Sequence, residues 1–271
     1  MSTMTDKEFR ELASYIKSKF GIHLGKEKKA LVEGRLSKVF TALSIEDASA
    51  YYQYLISDKT GKADVMLANA ITTNHTFFMR EIEHFTYFSD VVLPYFSRKI
   101  PDYDLRTWCA ACSSGEEAYT LAMIMQDFFS LQNGKWDTKL LATDLSMVAL
   151  STAKKGIYGK EAIVDLPPHW IRMYFQRIAN EEFQVMPSLQ NEIIFRQFNL
   201  MNRTFTFKRK FHVIFCRNVM IYFDRPTRKA LIEKFYQWLE PGGYLFIGHS
   251  EVIERHESLF TYVMPAVYRK G

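Results

Sequence analysis

The feature of the sequence that most constrains its fold is a long apolar stretch within residues 211–224. It begins Phe-His-Val-Ile-Phe-Cys, is interrupted by Arg217 and Asn218, and continues as Val-Met-Ile-Tyr-Phe-Asp. An apolar run of this length is typical of a central parallel strand that is covered on both faces. Polar residues that follow such a strand lie at the edge where open α/β sheets bind ligands. Arg217 and Asn218 are therefore candidate ligand contacts, although two polar residues here can also serve only to turn the chain.

From about residue 105 onward, strand patterns alternate with helix patterns. The predicted strands are Leu105–Ala110, Lys139–Thr143, Phe211–Cys216, Tyr244–Gly248 and Tyr262–Arg269. The predicted helices are Glu116–Phe129, Ser146–Lys155 and Pro226–Leu239. This alternation predicts an α/β fold with a doubly wound, mostly parallel sheet.

Two parts of the chain do not follow this alternation. Up to about residue 70, apolar residues recur only at helical spacing, which predicts an all-helical amino-terminal domain. One of its helices has a basic face between Lys26 and Lys38, which is either a binding face or simply a solvated one. Residues 170–198 predict short antiparallel strands around a Pro-Ser turn, and insertions of this kind often carry binding surfaces.

Composition narrows the class of protein. The chain has 271 residues and a net charge of +5, which is too weak to predict nucleic-acid binding by itself. No apolar run is long enough to cross a membrane and no signal-peptide pattern is present, so we predict a soluble, cytoplasmic protein. Three cysteines do not make a disulfide framework. Cys109 and Cys112 have the spacing of a redox pair or of half a zinc site, but no second pair completes one, and we predict no metal.

The loop after the first predicted strand, Ala110–Glu117, indicates the kind of ligand. It has a single glycine and lacks both the dinucleotide-binding glycine pattern and the lysine of phosphate-binding loops. Glu116 and Glu117 would repel phosphate and attract a cation, although acids also suit the start of a helix for its dipole. Asp144, at the end of the second strand, is placed either to accept hydrogen bonds from ribose hydroxyls or to cap the next helix. S-adenosylmethionine fits this pattern, because it is cationic, carries ribose hydroxyls and has no phosphate.

Several sequence blocks then coincide with one known family. They are Thr72–Glu81 (TTNHTFFMRE), Ala110–Glu117 (AACSSGEE), Ala142–Asp144, Phe198–Leu200, Phe215–Asp224 (FCRNVMIYFD) and Gly248–Glu251. In the same order, they resemble the blocks of the CheR family, the chemotaxis receptor (protein-glutamate O-) methyltransferases. The resemblance covers nearly the whole chain, and the first and fifth blocks are highly specific. Cys112-Ser-Ser and Ala118 depart from the family's common residues, but neither removes a polar cofactor contact.

The resemblance implies a fold, an activity and a set of site residues. It implies a class I S-adenosylmethionine methyltransferase domain at 73–271, a helical domain at 1–72 and a small β-subdomain at about 170–198. Arg80 and Tyr222 are the implied catalytic residues, Arg80 to orient a carboxylate and Tyr222 to place the acceptor, unless Tyr222 only packs in the core. The implied cofactor-binding residues are Asn74, Thr76, Arg80, Glu117, Asp144, Asn199, Leu200, Asn218 and Val219.

The resemblance also implies partners. The family methylates glutamates on the cytoplasmic helices of methyl-accepting chemoreceptors, so we expect a monomeric enzyme that is neither membrane-inserted nor bound to nucleic acid. Residues 170–198 are expected to dock a receptor's C-terminal tail, and the Lys26–Lys38 helix to face the acidic methylation region. A signalling module that binds S-adenosylmethionine without turnover, and a methyltransferase of a related non-chemotaxis pathway, remain open. The single glycine and the acidic loop disfavour a nicotinamide oxidoreductase. The resemblance assigns no role to Arg217, His249 or the Cys109/Cys112 pair.

Overall fold

The amino-terminal part of the chain is a bundle of helices. The computed structural model describes residues 4–254 and 258–271. The helices of the bundle are α1 (Asp6–Phe20), α2 (Lys29–Leu43), α3 (Ala48–Ser57) and α4 (Lys62–Ile71), with a 3₁₀ turn, Lys26–Lys28, before α2. Their apolar faces form a separate hydrophobic core around Leu12, Leu36 and Tyr51. The prediction of an all-helical amino-terminal domain is confirmed.

The basic face of α2 is smaller than its sequence indicates. Arg35 donates to the carbonyl of Ile71 at 2.6 Å and to the hydroxyl of Thr73 at 2.9 Å, so it ties α2 to the segment that leaves the bundle. Lys29 is paired with Asp6 at 2.5 Å. The exposed lysines of this region are therefore Lys26, Lys28 and Lys38.

Two short helices connect the bundle to the sheet. They are α5 (Ile82–Tyr87) and α6 (Leu93–Lys99), joined by a π-helical turn at Phe88–Val92. Phe85 and Phe88 lie against Phe215 of the sheet, with ring centroids 6.3 and 5.3 Å from it. This packing fixes the residues just before α5, which include Arg80, relative to the sheet.

The remainder of the chain forms a large sheet, a small sheet and the helices that cover them. The strands are β1 (Thr107–Cys109), β2 (Leu140–Asp144), β3 (Ile157–Gly159), β4 (Phe175–Arg177), β5 (Glu182–Val185), β6 (Ile193–Gln197), β7 (Phe211–Cys216), β8 (Leu239–Ile247), β9 (Phe260–Met264) and β10 (Val267–Lys270). The helices are α7 (Glu116–Ser130), α8 (Met147–Lys155), α9 (Lys160–Ile163), α10 (Pro168–Tyr174), α11 (Pro187–Gln190) and α12 (Arg225–Trp238). Within the two described ranges, no helix combines the length and the apolarity needed to span a membrane.

The large sheet has the order β6-β2-β1-β7-β8-β10-β9. Neighbours from β6 to β8 are parallel, and β10 and β9 add an antiparallel hairpin at one edge. All residues of β7 are buried, and they alternate between the two faces. Val213 and Phe215 belong to one hydrophobic core, Ile214 and Cys216 to the other. The prediction of a mostly parallel, doubly wound sheet with a central strand at 211–216 is confirmed.

Near its carboxyl end the sheet departs from the prediction. Residues 262–269 were expected to form one strand, but the chain reverses at Pro265 and Ala266 and makes the hairpin of β9 and β10. Ala266 takes a left-handed conformation (φ 61°). Alanine rarely adopts this conformation, so the sequence did not predict a turn there. The Pro-Gly-Gly segment at 241–243 lies within β8, where the pairing with β7 shifts register between Phe211 and Val213.

The β insertion is present, but its boundaries were wrong. The small antiparallel sheet has the order β3-β5-β4, so it begins at Ile157, well before residue 170. Residues 193–197 do not belong to it, because β6 pairs in parallel with β2 at the edge of the large sheet. Ile193 and Phe195 are buried whereas Ile194 is 38% exposed. This half-buried alternation is what an antiparallel strand also shows, so the pattern alone could not separate the two.

Candidate active site

A cavity of about 330 Å³ lies at the carboxyl ends of β6, β2, β1 and β7. This size is typical of a small-molecule site. Parallel strands end at the same edge, so the residues that follow them meet there even when they are distant in sequence. Phe20 and Ile22 of the helical bundle form part of the opposite wall.

Every residue predicted for the site lines this one cavity. These residues are Asn74, Thr76, Arg80, Glu117, Asp144, Asn199, Leu200, Asn218, Val219 and Tyr222. The structure thus brings them together, while their individual contacts with a cofactor and their catalytic roles stay predictions.

The two glutamates of the acidic loop have different environments. Glu116 is buried and accepts hydrogen bonds from the Ser114 hydroxyl at 2.7 and 3.0 Å, and its burial raises the pKa of its carboxyl group. Glu117 lies at the cavity, where Oε2 accepts from Arg217 Nη1 at 2.6 Å and Oε1 from the Cys109 thiol at 3.1 Å. Glu117 is therefore the acid that this loop presents to a ligand.

Asp144 is held by backbone donors on both of its oxygens. Ser113 N–H and Ser146 N–H each donate to it at 2.8 Å. Its burial raises the pKa of the carboxyl group, and the backbone hydrogen bonds partly oppose this effect. The cap of α8 is Ser146, which accepts from Ala149 N–H, so the alternative that Asp144 is the helix cap was wrong.

Arg80 projects from a strained turn before α5. Met79 and Glu81, on either side of it, both have φ 59°, in the left-handed region. The Arg80 side chain donates to the His75 carbonyl at 3.0 Å and lies 5.9 Å from the Phe77 ring centroid. In the part of the chain that the structure describes, no carboxylate pairs with Arg80. Its guanidinium is thus available for a ligand carboxylate.

The chain leaves the sheet directly after β7. Residues Met220–Tyr222 form a 3₁₀ turn rather than a continued strand, and this turn places Tyr222 along the cavity. Asn218 has φ 57°, and its side chain donates to Glu81 Oε1 at 3.0 Å. Tyr222 also packs against the hydrophobic core that contains Ile214 and Cys216, so it both lines the cavity and contributes to packing.

The helical bundle is joined to the cavity by direct contacts. His23 N–H donates to the Tyr222 carbonyl at 2.8 Å, and the Asn199 side chain donates to the Lys19 carbonyl at 2.7 Å. Asn199 Oδ1 also accepts from Met201 N–H at 2.9 Å, so this predicted cofactor contact has its side chain engaged within the protein. Lys17 pairs with Asp224 at 2.7 Å, and the Lys17 and Thr227 hydrogen bonds lower the pKa of Asp224 to about 2.

Glu81 and Glu251 hold the cavity residue Asn218 in place, a role that the sequence analysis did not predict. Glu251 is buried, and its carboxylate accepts from the N–H groups of Gly248, Asn218 and Ile221, at 2.6, 3.2 and 3.2 Å. It thereby ties the segment after β7 to the end of β8. An acid three residues after the glycine that ends an apolar strand was the available signal.

Other potential ligand groups serve the structure. Glu81, His84 and His249 bring potential metal-ligand atoms within 4.8 Å of one another. However, Glu81 Oε2, which is 3.5 Å from His84 Nδ1, already accepts from Arg217 and from His249 N–H. A guanidinium therefore occupies the place that a cation would need. Cys109 and Cys112 are free and buried, and burial raises the pKa of both thiols, which disfavours the redox and zinc readings.

The sheet order, the acidic loop and the cavity at the strand ends are those of an S-adenosylmethionine-dependent methyltransferase. The sequence matches "CheR methyltransferase, SAM binding domain" over residues 74–268 and "CheR methyltransferase, all-alpha domain" over residues 7–72. The chain belongs to the CheR methyltransferase family, as its resemblance predicted.

Relatives of similar length support this assignment. The chain is 39% identical over 272 residues to the chemotaxis protein methyltransferase of Borreliella burgdorferi, covering 99% of this chain and 95% of that protein. It is 34% identical over 268 residues to the chemotaxis protein methyltransferase of Escherichia coli, covering 98% and 91%. Among solved structures, a glycopeptide N-methyltransferase complexed with S-adenosyl-L-methionine is 14% identical to this chain, with a TM-score of 0.34. The match covers 57% of this chain and 51% of that structure, and this likeness is too low to carry an argument.

Proposed function

We propose that the protein transfers the methyl group of S-adenosylmethionine to glutamate side chains of methyl-accepting chemoreceptors. The observation that carries this proposal is one cavity lined by Glu117, by Asp144 and by Arg80, which pairs with no carboxylate of residues 4–254 and 258–271. Glu117 suits an ammonium group, Asp144 suits ribose hydroxyls and Arg80 suits a carboxylate. Membership of the CheR family, and relatives named chemotaxis protein methyltransferase, support the acceptor.

The residues of the cavity fit the cofactor and leave no need for a base. Bound S-adenosylmethionine supplies an electrophilic methyl group on a sulfonium. A glutamate acceptor is already ionised at neutral pH, because its reference pKa is about 4.3. The work of the protein is then to align the acceptor oxygen and to exclude water. Arg80 and Tyr222 line the cavity and carry the groups that can orient a carboxylate.

Labelled methyl transfer tests this function. The protein is incubated with tritiated S-adenosylmethionine and chemoreceptor membranes, and with matched membranes whose methylation-site glutamates are changed to alanine. We expect base-labile label, released as methanol, only with the first membranes. Label that resists base would contradict a methyl ester. Absence of label with retained cofactor binding would favour a signalling module without turnover, and labelling of another protein would favour a related pathway.

For the receptor tail, we propose docking at the small sheet, which lies within residues 157–185. Its strand β4 is an outer strand, and such edges can add an extended peptide through backbone hydrogen bonds. Calorimetry with a receptor C-terminal peptide and with its scrambled sequence tests this. We expect heat of binding only with the natural order. Equal affinity for both peptides would reject docking at this site.

For the remaining properties, we propose a monomer that works in the cytoplasm. The acceptor supports this location, because the receptor helices that the family methylates are cytoplasmic. We also propose that the exposed Lys26, Lys28 and Lys38 face the acidic methylation region. Sedimentation measures the mass of the protein and so tests the monomer. The role of the lysines is tested by the salt dependence of receptor methylation, which is compared between wild type and a Lys26→Gln/Lys28→Gln/Lys38→Gln variant. Identical salt dependence would reject the role of these lysines.

A further inference from the structure

Arg217 is a buried charge that joins three segments of the site. Its side chain is 1% exposed and follows the central strand β7. Nη1 lies 2.6 Å from Glu117 Oε2 on α7, and Nη2 lies 3.2 Å from Glu81 Oε2. Nη2 also donates to the Arg80 carbonyl. The guanidinium carbon lies 5.0 Å from the Phe85 ring centroid.

These contacts do more than neutralise a charge. Burying a guanidinium is costly unless carboxylates and hydrogen bonds compensate it, and here the compensation comes from residues at the cavity. Glu117 is fixed on both sides, by Arg217 on one oxygen and by the Cys109 thiol on the other. Its carboxylate therefore has one orientation toward the cavity before any ligand is bound.

The second arm of Arg217 holds the strained turn that carries Arg80. The left-handed conformations of Met79 and Glu81 are unfavourable for residues with side chains and persist only where surrounding contacts enforce them. Arg217 binds the Arg80 carbonyl and the Glu81 carboxylate within that turn. The same guanidinium thus fixes an anion, Glu117, and the backbone of a cation, Arg80.

We propose that Arg217 is a positioning residue that sets the spacing between Glu117 and Arg80 for the ammonium and the carboxylate of an α-amino-acid ligand. In the proposed function, the α-amino-acid group is the methionine part of the cofactor, so this inference rests on that function. Arg217 does not itself perform chemistry. It acts through Glu117 on one side and through the turn 79–81 on the other.

Binding of S-adenosylhomocysteine by calorimetry tests this without any acceptor. We expect Arg217→Gln to weaken binding by about 10- to 100-fold, which corresponds to about 1.4–2.8 kcal/mol, because hydrogen bonds to charged groups of the site are lost. In a double-mutant cycle with Glu117→Gln, the combined loss should be smaller than the sum of the single losses, because both changes remove one coupled arrangement. Additive losses, or unchanged binding in Arg217→Gln, would overturn the proposal.

The variant Arg217→Lys separates the positioning role of Arg217 from its contribution to folding. Arg217→Lys keeps the charge, but an ammonium cannot bridge both carboxylates and the carbonyl as the planar guanidinium does. We expect it to recover thermal stability without recovering affinity, and recovered affinity would overturn the bridging role. If Arg217→Gln does not fold, Arg217→Lys carries the cycle.

Arg106 provides the matched control. It pairs with Asp104 and Glu240 at 3.0 and 2.9 Å and precedes β1, at the opposite edge of the sheet. Arg106→Gln should lower stability and leave S-adenosylhomocysteine affinity unchanged, and an equal loss of affinity in both variants would overturn the proposal. Wild-type protein that binds no S-adenosylhomocysteine would reject the proposed function itself, whereas binding with an additive cycle would reject only the role of Arg217.

Discussion

At the scale of single residues, the site depends on charged groups that are held from several sides. Glu117, Asp144 and Glu251 each accept hydrogen bonds on both carboxylate oxygens. Arg80 differs, because its side chain contacts only a carbonyl and an aromatic ring among the contacts that the structure describes. It is the charged group of the cavity with the greatest capacity left for a ligand.

Arg80→Ala tests this capacity. We expect kcat/KM for methyl transfer to fall by about 10- to 100-fold, because a charge-assisted contact to a carboxylate is lost. Thermal stability should change little, since the Arg80 side chain is only half-buried. The matched control is Arg98→Ala on the exposed face of α6, which should behave as wild type. Equal kinetics for both variants would exclude the role of Arg80.

Sequence patterns could predict which residues meet at the cavity, but not which groups hold them. Asp144 and Asn218 follow apolar strands, and parallel strands end at one edge, so their proximity follows from the fold class. The partnership of Arg217 with Glu81 has no local signal. It joins residues 136 positions apart, and it depends on how α5 packs against β7.

At the scale of elements, helix α7 is the part that connects packing to the site. It begins after Gly115, which has φ 104°, and its first turn carries Glu117. A side chain at Gly115 would place Cβ 2.9 Å from both Ala153 Cβ and Tyr158 Oη. The start of α7 is thus wedged between α8 and the small sheet.

Gly115→Ala should therefore damage both stability and binding. We expect a loss of about 1–3 kcal/mol in unfolding free energy from overpacking and from the left-handed backbone, together with weaker S-adenosylhomocysteine binding. Chemical denaturation and calorimetry measure the two effects. Gly34→Ala is the control, because nothing lies within 4 Å of its Cβ position and it is inside α2. It should raise stability slightly and leave binding intact. Wild-type binding in Gly115→Ala would show that α7 can shift without consequence.

Element boundaries were predictable where the signal is local. Ser146 and Gly156 bound α8 as the sequence indicates, because a hydroxyl cap and a terminal glycine act within one turn. The sheet to which β6 belongs was not predictable, because strand pairing is decided by distant partners. The same holds for the hairpin of β9 and β10, whose bend is at an alanine rather than a glycine.

At the scale of the whole molecule, two buried histidines make the fold sensitive to acid. Burial and the nearby Arg217 lower the pKa of His84 to about 4, and burial and Arg106 lower that of His212 to about 3. The unfolded chain binds protons at these groups from about pH 6.5 downward, whereas the folded protein does not. At these two groups the unfolded state binds more protons, so their contribution to stability falls as the pH is lowered from 6.5 toward 4.

This acid sensitivity should be visible in the free energy of unfolding. Each histidine contributes a loss of about 1.4 kcal/mol per pH unit in that window. Denaturant titrations between pH 7.5 and 4.5 measure the slope. His212→Gln, which can still accept a hydrogen bond from Arg106 N–H, should have a shallower slope. An unchanged slope in His212→Gln would contradict the assignment.

The contacts of the helical bundle with the cavity wall bear on how such proteins diverge. Ile22 pairs with Phe223, His23 N–H donates to the Tyr222 carbonyl, and Phe20 lines the cavity. One wall of the cavity is therefore built from both domains of the family, the all-alpha domain and the S-adenosylmethionine-binding domain. A chimera that joins the bundle of one relative to the sheet of another would inherit mismatched halves of that wall. Substitutions on its two sides are thus expected to accumulate as compensating pairs.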